Sequence, residues 1–196
     1  MLKIGSLIDL LRKNNREYKT IEAYKKRNVK VCEGCRFYLD SEIGEYTYIG
    51  RYCDITRAKI GRYCSIGNFV VIGGGEHRLD RISTNFELYP DSQTGIELAD
   101  RDLIIKNDVW IGTNAVIRRG VTIGNGAVIG ANSFVNKDVP DYAIVAGTPA
   151  RIVRYRFSDD VIQKILESKW WEKDKNDAIH ALQELESGIN NSNIQQ

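Results

Sequence analysis

The chain has 196 residues, 28 of them Lys or Arg and 26 Asp or Glu, for a net charge of +2. A balance so near zero creates no general attraction for a nucleic acid, and no run of the sequence is long and apolar enough to span a membrane as a helix. The length suits one domain with an appendage.

Residues 1–30 are predicted to open the chain as a helical segment. Ile4, Leu7, Ile8 and Leu11 share one helix face, expected to pack on the end of the next unit or on a neighbouring subunit rather than on a bilayer. Residues 12–30 carry eight Lys or Arg against two Glu, the pattern of a solvated helix surface. MLKIGSLIDLL has too short an apolar run for a secretory leader, and the expected compartment is the reducing cytoplasm. Cys32 and Cys35 form a C-x2-C, half of a zinc site. No second pair or histidine cluster completes it, so no metal is expected.

From 31 to 157 the spacing changes. Ile111, Ile117, Ile123 and Ile129 fall on every sixth residue, with Ile105 and Val135 in phase. An earlier block holds Phe37, Ile43, Ile49 and Ile55, then Ile60, Ile66 and Ile72. One residue is missing between Ile55 and Ile60, which predicts one tightened corner. This period matches neither a strand nor a helix. The residue four places on is small or β-branched, as at Thr47, Cys53, Cys64, Val109 and Ala115. The residue directly after is often glycine, as at Gly44, Gly67, Gly73, Gly112 and Gly124, but Arg118 follows Ile117. Bulky and small residues thus alternate toward an interior between turns, where glycine permits positive φ. Short strands joined this way stack as coils about 4.8 Å apart and bond coil to coil. The predicted fold class is an all-β solenoid, a parallel β-helix of triangular section with isoleucine ladders inside.

The phase breaks once, between Ile72 and Ile105, so residues 74–103 are expected to leave the wall as a protruding loop. Long excursions are functional candidates, and this one begins GGGEHR. His77 stands at its start. Imidazole is mostly the free base at neutral pH and can take a proton from a hydroxyl or amine attacking a carbonyl. Glu76 is a candidate to orient the ring, and Glu76 and Asp80 are the alternative bases. No G-x-S-x-G occurs, so nothing indicates a covalent serine intermediate. The glycine runs lack the lysine and helix of a P-loop.

Beyond Val139 the sequence reads PDYAIVAGTPARIVRYRFSDD, where Pro140 and Pro149 interrupt regular pairing. Arg151 and Arg154, with Lys137 upstream, are cations of the kind that bind phosphate. Residues 158–187 are expected to form two helices. Ser158 is the candidate cap of the first, with Val161, Ile162, Ile165, Leu166 and Trp170 on its apolar face; the second covers roughly 175–186, its bounds uncertain by about 2–4 residues. These helices are expected to close the open end of the solenoid. His180 lies on the second helix in a surface or packing role, and the tail 188–196 has too little apolar surface to order itself.

Together the hexads, the histidine at the loop, VWIGTNAVI, VIGANSFVNKDVP, AGTPARIVR and the terminal KWW resemble the hexapeptide-repeat acetyltransferases. The branch they resemble holds xenobiotic (virginiamycin and chloramphenicol) acetyltransferases and surface-polysaccharide sugar O-acetyltransferases. The resemblance covers residues 35–172. It implies a left-handed coil, a homotrimer, and acetyl-CoA lying in grooves between subunits. By motif it makes His77 the general base and sets Thr113 and Ala131 along the pantetheine groove through backbone groups. It gives Asn136 and Lys137 a CoA contact, brings Arg151 and Arg154 to the nucleotide phosphates, and puts Trp110 on the groove flank. Two positions depart from the pattern: Glu76 precedes His77 where relatives often have asparagine, and Asn136 replaces a frequent threonine. The loop HRLDRISTNFELYPDS resembles that of the surface-sugar branch and in part that of the antibiotic branch, whose longer insertion it lacks. The implied acceptor is a hydroxyl or amino group of a surface-polysaccharide sugar or its precursor. An antibiotic acceptor is the alternative, and a non-catalytic scaffold a third reading.

Overall fold

The computed structural model describes residues 21–38, 41–89 and 102–189; the expected face of Ile4, Leu7, Ile8 and Leu11 lies outside them. The described chain is a parallel β-solenoid with helices at its C-terminal side. Its first face stacks Lys30–Val31, Tyr48–Ile49, Ser65–Ile66, Trp110–Ile111, Val128–Ile129 and Ala143–Gly147. The second face stacks Arg36–Tyr38, Asp54–Thr56, Val71–Ile72, Val116–Ile117 and Phe134–Val135. The third stacks Glu42–Ile43, Ala58–Ile60, Leu103–Ile105 and Thr122–Ile123. The sixth-residue isoleucines meet as expected. Ile49, Ile66, Ile111 and Ile129 are successive partners, as are Ile55, Ile72 and Ile117, and Ile43, Ile60, Ile105 and Ile123. All are buried, so each adds roughly 1.5–3 kcal/mol of hydrophobic stabilisation before entropy is charged. The missing residue is absorbed at Arg57, a corner with φ 46° between Asp54–Thr56 and Ala58–Ile60. The excursion is inserted at one corner without disturbing the ladders, because Ile60 pairs Ile105 and Ile66 pairs Ile111 directly across it.

The role of the glycines differs from expectation. Of those following ladder residues, Gly73 has positive φ, at 72°. At Gly112 the reason is space: a Cβ there would stand 2.5 Å from the Ala131 nitrogen of the next coil. The left-handed turn falls two residues later, at Tyr46, Tyr52, Tyr63, Phe69, Asp108, Asn114, Asn132 and Tyr142. Asn and Asp tolerate that conformation. Tyrosine gains an offset by stacking on its counterpart one coil away: Tyr46 on Tyr63 at 4.9 Å, and Tyr52 on Phe69 at 5.5 Å.

The ends also differ. Residues 21–26 are helical and Lys30–Val31 is already strand, so the helical segment stops short of residue 30. Tyr24 and Val29 are buried in the solenoid core. At the other end the coil does not continue to 157. Ala143–Gly147 turns back as Ala150–Tyr155, antiparallel, with Pro149 in the connection. Two helices follow, α1 (Asp159–Ser168) and α2 (Lys175–Gly188). They do not cap the prism end. Val161, Ile162, Ile165, Trp170 and Trp171 pack against Tyr142 and Tyr63 on the corner between the third and first faces, as a separate cluster. Arg62 donates to the Glu172 and Lys173 carbonyls, 2.9 Å each, fastening them. Ser158 stands at the α1 N-cap position, but its hydroxyl donates to Asp160 instead of capping the backbone. Asp174 caps α2, accepting from the Asn176 and Asp177 nitrogens. Gly188 still belongs to α2 and Ile189 is buried, so these two residues are not part of an unordered tail; the rest of that expected tail, 190–196, lies outside the described residues. Cys53 and Cys64 point into the core as expected, Cys35 is buried against the Gly50 carbonyl, and Cys32 donates to the Tyr48 hydroxyl. Among the described residues no helix is long and apolar enough to cross a membrane.

Candidate active site

His77 leaves the solenoid at the corner between the second and third faces. Gly73 bonds to the Ile117 carbonyl at 2.9 Å, and its positive φ turns the chain outward. A side chain there would collide with the Thr56 carbonyl oxygen. Arg119 from the next coil donates to the carbonyls of Gly73 (3.4 Å) and Gly74 (3.0 Å). Glu76 does not orient the ring. Its carboxylate takes a bidentate grip from Arg118, at 2.6 and 3.1 Å, and that guanidinium holds the carboxyl below its ordinary pKa range. Asp80 is held similarly by Arg78, its pKa lowered to about 2. Both alternative bases are therefore poor proton acceptors near neutrality.

The His77 ring is exposed, with Nδ1 2.6 Å from the Thr84 carbonyl oxygen. The excursion folds on itself to place that carbonyl. The Ser83 nitrogen donates to the Tyr89 hydroxyl at 3.1 Å, and Arg81 lies over the Tyr89 ring at 4.6 Å. The short 3-10 turn Phe86–Leu88 follows. Leu79, Ile82 and Leu88 of this loop project into solvent. Sequence reasoning missed Thr84, Arg118 and Arg119. Arg118 did carry a signal, since it stands where the repeat has glycine.

Except for Asn136 and Lys137, the other candidates lie elsewhere on the same prism. Trp110, exposed on the first face, lines up through Val128 and Ile144 with Arg154. With Asp108, Arg156 and Phe157 they line a groove of about 490 Å³. Arg156 is committed there, donating to Asp108 at 3.2 Å and to the Gly126 carbonyl at 2.7 Å. Burial raises the Asp108 pKa, and Arg156 counters it. Arg151 partners Ala146 beside the hairpin turn and does not line the groove. Thr113 and Ala131 are exposed at the corner between the first and second faces. The coil-to-coil bonds there run from Gly112, Asn114, Gly130 and Asn132, so the N–H groups of Thr113 and Ala131 stand outside the ladder. Asn136 and Lys137 lie on the same corner as the excursion, one coil beyond Arg118. The Asn136 Oδ1 is buried without a hydrogen-bond partner among the described residues, and Lys137 is exposed. His180 is exposed on α2. A second cavity of about 520 Å³, lined by Lys164, Ser168, Leu185 and Ile189 among others, holds none of these residues.

A family described as bacterial transferase hexapeptide (six repeats) matches residues 40–74 and 102–137, the two blocks flanking the excursion. A probable macrolide acetyltransferase of Lysinibacillus sphaericus is 38% identical over 149 residues, covering 69% of this chain and 77% of that protein. The chain belongs to the hexapeptide-repeat transferase family. Within that family, a chloramphenicol acetyltransferase of Agrobacterium fabrum is 46% identical over 125 residues, 59% of each chain. A putative lipopolysaccharide biosynthesis O-acetyl transferase of Escherichia coli is 32% identical, over 71% of this chain and 66% of that one. The chain spans about three fifths of the length of the chloramphenicol acetyltransferases it matches. Among solved structures, a hexapeptide-repeat acetyltransferase from Vibrio cholerae superposes with a TM-score of 0.53 at 29% identity, covering 71% of this chain and 80% of that one.

Proposed function

We propose that the chain is an acetyl-CoA-dependent acetyltransferase that passes the acetyl group directly to a hydroxyl of a surface-polysaccharide sugar or its precursor in the cytoplasm, with His77 as general base. The observation that carries this reading is the 2.6 Å contact between His77 Nδ1 and the Thr84 carbonyl. A carbonyl only accepts, so Nδ1 holds the hydrogen and the lone pair of the neutral ring lies on Nε2. Nε2 takes the proton of the acceptor hydroxyl as its oxygen bonds to the thioester carbonyl carbon. Backbone N–H groups steady the oxyanion. The carbon–sulfur bond then breaks, the acetyl ester leaves, and the CoA thiolate takes the proton from the imidazolium.

Acetyl-CoA is a co-substrate, and the residues fit it. Trp110, Val128 and Ile144 offer an apolar floor, with Arg154 as a cation for phosphate. The N–H groups of Thr113 and Ala131 suit the pantetheine amides. Asn136 and Lys137 suit a polar contact near the thioester, and Arg151 reaches phosphate from beside the hairpin. Because these groups sit on different edges, the reading includes a homotrimer in which one subunit's edge completes its neighbour's site. The test is thiol release from acetyl-CoA against a panel of nucleotide-linked sugars, glycan fragments, chloramphenicol and virginiamycin. Turnover with sugars is expected. Turnover with the antibiotics alone would install the second reading, which the relatives named as antibiotic acetyltransferases and the projecting Leu79, Ile82 and Leu88 favour. Thiol release with no acceptor at all would contradict both.

A further inference from the structure

We propose that Arg118, acting through Glu76, and Arg119, acting on the Gly73 and Gly74 carbonyls, are positioning residues that hold His77 at the corner between the second and third faces. The inference rests on His77 being the base. Gly73 to Ile117 is the last bond the ladder gives this segment before it leaves the wall. From there to His77 the chain is gripped by side chains of the next coil: Arg119 at Gly73 and Gly74, then Arg118 at Glu76, one residue before the imidazole. A half-exposed ion pair adds little to folding. A bidentate guanidinium–carboxylate fork instead fixes distance and angle. Placement is what general-base catalysis needs, since a shift of about 1 Å can cost up to about 10²-fold in rate.

The experiment is a double-mutant cycle on kcat with Arg118→Met and Glu76→Gln, beside His77→Ala, using acetyl-CoA and the best acceptor. Each single change at the pair should lower kcat by about 10- to 100-fold with the acetyl-CoA KM within about twofold. The double variant should be no worse than the worse single one. Arg118→Lys should recover part of the loss, and it gives the same reading should Arg118→Met fold poorly. Wild-type kcat in both singles, beside an inactive His77→Ala, would overturn the positioning role and leave the base standing. A raised acetyl-CoA KM at unchanged kcat would overturn it too, making Arg118 a CoA contact. Full activity in His77→Ala would remove the base reading itself.

Discussion

His77 and Glu76 are neighbours in the chain, yet their side chains serve different partners, and sequence adjacency could not separate them. Consecutive residues of an extended segment point apart, so Glu76 turns back to Arg118 while His77 meets Thr84. The consequence for pH follows from sign. Glu76 is depressed by Arg118, so its charge supports the loop at neutral pH and is lost as pH falls through a value below the ordinary carboxylate range. Glu76 should therefore not set the acid limb of kcat, which should persist in Glu76→Gln even as kcat itself falls. A limb that vanishes in that variant would tie the profile to Glu76. Arg154 and Arg151 also part company. Both were candidates for phosphate in the sequence, but Arg154 lines the groove with Trp110 and Arg151 does not. Arg154→Ala should raise the acetyl-CoA KM by about tenfold, given roughly 1.5–3 kcal/mol for a charge-assisted bond before screening. Arg151→Ala should raise it less, and the reverse order in steady-state kinetics would reassign the groove.

At the scale of elements, the repeat told almost everything about the ladders and little about their corners. Side-chain volume every sixth residue is enough to put Ile66 on Ile111, and a deleted residue is enough to tighten the chain at Arg57. A glycine in a turn, however, has two physical excuses, left-handed φ and close approach, and sequence does not say which. At Gly112 it is close approach, so Gly112→Ala should destabilise by about 1–3 kcal/mol, the cost of overpacking. Gly188→Ala, on α2 with nothing within 4 Å, should leave the urea midpoint unchanged or raise it. Equal midpoints for the two variants would dismiss the packing argument. The AGTPARIVR segment was out of reach for another reason: a strand that reverses to pair antiparallel has the same composition as one that starts a further coil. The helices likewise carry a plain apolar face. What draws them to the corner is the two aromatic rings of Tyr63 and Tyr142 and the reach of Arg62, none of which belongs to their own sequence.

On the scale of the whole molecule, the candidate groups are spread over three edges, and one prism does not gather them. That is the reason a trimer is proposed, and sedimentation at micromolar concentration should then give three times the 22.3 kDa chain mass. A monomer mass would remove the shared groove. The acyl transfer itself is tested most directly by following thiol release from acetyl-CoA with wild type and His77→Ala at saturating acceptor. The account predicts that kcat falls by about 10²–10⁴ in the variant, the range for losing a general base, while acetyl-CoA binds nearly as before. Near-normal turnover by His77→Ala would contradict it.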